Sequence, residues 1–137
     1  MKRHLITLLL AVLYVLAVSF ALRILPFDSA PEAFRALFTK SWHGSLAWLK
    51  IRHLVVVCVI ACLLALLLVR LNRAKAQIDA IVIGTLTLLW GAGLRWAIAG
   101  TAGWSWLELT DYLTTALAVP VMVAVVGSRH WRERCGE

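Results

Sequence analysis

Residues Leu54–Val69 read LVVVCVIACLLALLLV, without a single charged side chain. Extended outward to Ile51 and Leu71, the run is long enough to cross a hydrocarbon core roughly 30 Å thick as a helix rising about 1.5 Å per residue. It does not alternate polar with apolar, as the strands of a membrane barrel do. Backbone groups inside a bilayer must be satisfied internally, and a uniformly apolar run achieves this as a helix. Three further runs share the pattern: Leu5–Leu25 (LITLLLAVLYVLAVSFALRIL), about Ile78–Gly100 and about Leu107–Gly127. The expectation is an all-α integral membrane four-helix bundle, residues 1–137, forming a single transmembrane domain.

Composition narrows the classes further. Of 137 residues, 62% are hydrophobic and 15% charged, whereas soluble domains carry roughly 45–50% and about 25%. Mean hydropathy is +0.86, which also excludes a disordered chain, since such chains stay solvated through their polar residues. The net charge of +7 does not read as a nucleic-acid footprint. Such a footprint gathers Lys and Arg on one continuous soluble face, and here they form short clusters between apolar runs. Cys58, Cys62 and Cys135 make no disulfide framework. The first two, four apart in an apolar run, read as small hydrophobes on one helix face.

Basic residues flank the runs unevenly. Lys2 and Arg3 precede the first, Arg70, Arg73 and Lys75 join the second to the third, and Arg129, Arg132 and Arg134 follow the fourth. With four crossings these eight of the fourteen Lys and Arg fall on one side, and the TAGWSW turn opposite has none. Positive charge is retained in the cytoplasm, so both termini are expected there and the first and third links outside. Lys50 and Arg52 oppose that orientation without reversing it. The first run is longer than the roughly 7–15 apolar residues of a secretory signal, and Ser19-Phe20-Ala21 is a poor cleavage site, so it reads as a retained span.

In the first link, Ser29-Ala30-Pro31-Glu32 has the form of a capping box with proline in the first turn. Phe34, Leu37, Phe38, Trp42, Leu46 and Leu49 then recur at helical spacing, mostly away from Arg35, Lys40, His43 and Lys50. A short amphipathic interfacial helix over about 30–47 is expected, lying on the membrane surface or capping the bundle. Further on, Gly84, Gly91, Gly93 and Ala97 offer close helix approach. Pro120 should kink the last span and free the carbonyl of Ala116, with Thr114 and Thr115 bonding locally.

Arg95 is the sharpest feature, because a charge inside a span costs several kcal/mol unless it is paired or reaches water. A hairpin through Thr101–Trp106 sets Arg95 level with Asp111 and Tyr112, with Glu108 one turn shallower, so an Arg95–Asp111 pair is expected. Arg23 and His53 reach the same level. Five ionisable residues (Arg23, His53, Arg95, Glu108 and Asp111) therefore converge near one leaflet. In one reading the pair fixes helix register, Arg23 snorkels to the surface and His53 sits at the interface. In the other the cluster lines a pocket whose surplus positive charge takes an anionic lipid headgroup: Arg95, Arg23 and His53 touch it, and Asp111 and Glu108 position Arg95. A structural or assembly subunit, or an immunity-type protein packing against a membrane partner, is the alternative. His53 as a base oriented by Asp111 lacks a nucleophile at recognisable spacing. No metal-ligand set, phosphate loop or dinucleotide fingerprint occurs, so no cofactor is expected and the reading leans away from an enzyme.

At these residues the sequence resembles the VanZ-like family of small bacterial membrane proteins. Ile24-Leu25-Pro26-Phe27 is similar to the family's Leu-x-Pro-like end of the first span, and Lys50-Ile51-Arg52-His53 to its Lys-x-x-His opening of the second. Gly100-Thr101-Ala102-Gly103, followed by Leu107-Glu108-Leu109-Thr110-Asp111, is similar to its Gly-containing turn and the Asp that follows. Thr115 stands where the family has Asn, Ala118 where Gly is frequent, and Leu49 where an Asp commonly precedes the Lys. The third span lacks the family's acidic residue and carries Arg95 nearby. The resemblance implies a protein of the bacterial inner membrane with a cell-envelope role, glycopeptide tolerance being the best-known association, and no enzymatic activity.

Overall fold

The structure, a computed structural model, describes residues 2–24, 42–100 and 105–135. Among these the chain is essentially all helical: α1 (Lys2–Ile24), α2 (Trp42–Asn72), α3 (Ala76–Ala99) and α4 (Trp106–Cys135), with a 3-10 turn at Arg73–Lys75. Three stretches are long and apolar enough to cross a membrane: His4–Ile24, Leu46–Ile98 and Trp106–Ser128. The 53-residue stretch runs through the 3-10 turn and doubles back on itself. His53 and Arg95 line one cavity, whereas an unbroken helix would set them about 60 Å apart. The reversal falls where Arg70, Asn72, Arg73 and Lys75 replace the apolar run, with Asn72 at φ −158°, ψ 85°.

Cross-helix bonds give the directions. Thr7 donates to Asp79 (3.3 Å) and Gln77 to the carbonyl of Pro120 (3.4 Å), near the starts of α1 and α3. At the other end Arg52 donates to the carbonyl of Leu22, and Arg95 meets Glu108. Helices α1 and α3 therefore run one way and α2 and α4 the other, which puts the start of α1 and the end of α4 at the same end of the molecule. Gly100 ends α3 at φ 59°, ψ −148°, a conformation left almost entirely to glycine. The interfacial helix expected over 30–47 falls largely outside the described residues, as does the Ser29–Glu32 box; positions 42–47 form the opening of α2.

The core is built mainly from small and β-branched side chains, with Tyr14, Leu64 and Leu68 among them. Tyr14 and Val18 of α1, Val57, Ala61 and Ala65 of α2, Ala80 and Ile83 of α3, and Val119 and Val123 of α4 are buried together. Without a hydrophobic force between helices in lipid, association depends on such close packing. The outward faces are apolar: Leu9, Leu16, Phe20, Leu63, Leu89 and Leu117 are all exposed. A surface of this kind is stable only against hydrocarbon.

The tightest approach joins α3 to α4. Pro120 has no N–H for the carbonyl of Ala116, and that freed oxygen lies against Gly84, where any Cβ would collide with it. Thr114 and Thr115 donate to the carbonyls of Thr110 and Asp111, each one turn back. Gly93, by contrast, has open space around it. Gly84→Ala is expected to destabilise the fold by roughly 1–3 kcal/mol, as overpacking does, while Gly93→Ala stays close to wild type. Thermal unfolding in a fixed detergent compares the two.

Candidate functional site

The site is organised by the first turns of α4. Ser105 and Glu108 form a capping box: the Glu108 amide donates to Ser105 Oγ (3.2 Å), and the Ser105 amide donates to Glu108 Oε2 (3.4 Å). The same Oε2 accepts from Arg95 Nε at 3.4 Å. One turn further on, Asp111 Oδ1 lies 2.5 Å from Lys50 Nζ. Lys50 also donates to the carbonyl of Leu107 and to Thr110 Oγ1 (3.4 Å). The expected Arg95–Asp111 pair is thus replaced by two pairs, Arg95–Glu108 and Lys50–Asp111. The capping box turns the Glu108 carboxylate back over the start of α4, within reach of Arg95, and α2 delivers an ammonium to Asp111.

Behind these pairs lies a neutral node at Thr115. Its hydroxyl donates its single proton to the Asp111 carbonyl (2.7 Å), so it accepts from His53 Nε2 (3.0 Å). His53 therefore carries its proton on Nε2, and in the neutral ring Nδ1 is the acceptor. The carbonyl of Thr115 in turn accepts from the Tyr14 hydroxyl (2.9 Å), which ties α1 to the same point. Arg52 caps the last turn of α1 through the Leu22 carbonyl, a cation at the negative end of the helix dipole.

Between these elements is a cavity of about 320 Å³. His53 of α2 and Asp111, Tyr112 and Thr115 of α4 form its floor, and Arg95 lines it from α3. Its mouth lies between α1 and α3, where Ser19, Trp90, Leu94 and Ile98 are exposed. Small residues create the space. Ser19 faces it from α1 and Gly91 from α3, and the Tyr112 ring lies against Gly91 where a side chain would stand. A second recess, lined by Lys50, Arg52, His53, Glu108 and Asp111, adjoins it.

Of the five residues singled out from sequence, His53, Arg95 and Asp111 line the cavity, and Glu108 lies beside it. Arg23 is exposed at the end of α1 and lines neither space. Lys50, Arg52, Ser105 and Thr115 belong to the arrangement, and sequence reasoning did not place them in the cluster. The signal for the first was available, since Lys50 and His53 are three apart and share a helix face. Among the described residues no group of three or more His, Cys, Asp and Glu is placed to hold a metal. The chain matches no family model, no curated protein and no solved structure at a significant level.

The pairing is open to a double-mutant cycle. Lys50→Ala with Asp111→Ala is expected to show a coupling of at least about 0.5 kcal/mol in unfolding free energy, whereas Arg95→Ala with Asp111→Ala falls below that level. Equal coupling in the two cycles would mean that Asp111 serves both cations.

Proposed function

We propose that this chain is a four-span protein of the bacterial cytoplasmic membrane, with both termini in the cytoplasm, that holds an anionic lipid headgroup in its cavity on the outer leaflet. The headgroup belongs to a membrane lipid or to a lipid-linked precursor of the envelope. The carrying observation is the cavity itself, which opens sideways between two membrane-exposed helices and has the Arg95 guanidinium and the His53 imidazole among its lining groups. Among the described residues at this end, Arg23, Lys50, Arg52 and Arg95 outnumber Glu108 and Asp111, a positive surplus that an anion offsets. Four spans follow if the 53-residue stretch crosses twice, and the Lys and Arg clusters at the opposite end favour the cytoplasm for that side.

The residues that carry the VanZ-like resemblance support an envelope role, because Lys50, Arg52, His53, Glu108 and Asp111 meet in one recess. A second reading draws on the same geometry. Both carboxylates are already paired with cations, which suits a helix-packing subunit acting on a membrane partner.

Native mass spectrometry of the purified protein separates these readings. Arg95→Gln is expected to lower retention of anionic lipid about tenfold, or about 1.4 kcal/mol, with the protein still folded and abundant. Loss of abundance with lipid retention unchanged would support the packing role instead. Orientation is read by an impermeant maleimide on spheroplasts, which is expected to label Ser105→Cys and to spare the native Cys135.

A further inference from the structure

The cavity does not end at its polar floor. A furrow of about 200 Å³ runs along the seam of α1 and α3, lined by Leu8, Val12 and Leu86 among others. It shares Val15, Thr87 and Trp90 with the cavity, so the two adjoin. The one hydroxyl lining the furrow, that of Thr87, is spent on the carbonyl of Ile83 (2.8 Å), so apart from the indole of Trp90 the lining is aliphatic. An occupant of both spaces must be apolar along its length and anionic at the end that reaches Arg95.

We infer that the ligand is an anionic amphiphile whose hydrocarbon chain lies in the α1–α3 furrow, past Trp90, while its phosphate or carboxylate sits in the cavity beside Arg95. This rests on the headgroup reading above and adds the chain's path. Trp90 is 63% exposed and stands where furrow and cavity join, so it is the natural reporter. Val12, half-exposed on α1, lines the furrow and not the cavity.

The test uses the full chain in phosphatidylcholine nanodiscs doped with a small fraction of chain-brominated phosphatidic acid or, in parallel, chain-brominated phosphatidylcholine. The fluorescence of wild type minus that of Trp90→Phe isolates the Trp90 signal. Bromine on the anionic lipid is expected to quench that signal several-fold more than bromine on the zwitterionic lipid. Val12→Phe, at a position that lines the furrow and not the cavity, should abolish the difference while native mass spectrometry still finds phosphatidic acid retained. Arg95→Gln should abolish both. Should Val12→Phe fail to fold, Leu16→Phe, at another exposed position of the furrow, replaces it. Equal quenching by the two lipids, with retention intact, would overturn the chain's path and leave the headgroup reading standing. Trp90 shielded from both lipids by a second copy of the chain would also overturn the path. Retention that is absent or indifferent to Arg95 would overturn the headgroup reading itself.

Discussion

An ion withdrawn from water without a counter-ion costs several kcal/mol, and this constraint governs the end of the molecule that carries the site. Two carboxylates open α4, and each is claimed by a cation from a different helix: Glu108 by Arg95 of α3, Asp111 by Lys50 of α2. Helix α4 is thereby held in register against both neighbours at once. Helix α1 is tied in by the Tyr14 hydroxyl on the Thr115 carbonyl, the Thr7 hydroxyl on the Asp79 carboxylate and the Arg52 cap on Leu22.

The helical class was legible because long apolar runs leave one backbone solution in a membrane. The level of Arg95 beside the first turns of α4 was legible too, since a hairpin about a short turn fixes levels to within a turn. Its partner was not. Glu108 and Asp111 lie three residues apart on one helix face, and hydropathy carries no information finer than that spacing. The choice is made by Ser105, whose capping box holds the Glu108 carboxylate. The Ser-x-x-Glu spacing read at Ser29–Glu32 recurs at Ser105-Trp106-Leu107-Glu108, at the opening of an apolar run. Lys50 reads in the sequence as a topological charge and as the lysine of the Lys-x-x-His resemblance, and its spacing to His53 marks a shared face without naming Asp111 as its partner.

The cavity itself was invisible from sequence for a different reason. It arises from what is missing, the side chains absent from Gly91 and reduced at Ser19, in the space beyond the buried Val18 and Ile83. A pattern of small residues in a membrane helix reads first as a contact surface, and Gly84 is one, pressed against Ala116. Gly91 has a different role, admitting the flat face of Tyr112 while space remains in front of it. Only the relative placement of α1 tells the two glycines apart.

Pro120 divides α4 into unequal tasks. Every polar side chain of the site that α4 supplies lies before it, and past it come the buried Val123 and the basic tail. With one rung of the ladder missing at Ala116, bending strain concentrates there, directly over the bare backbone of Gly84. The lost hydrogen bond and the lost Cβ thus face each other, and the two backbones meet where neither helix has anything to put between them.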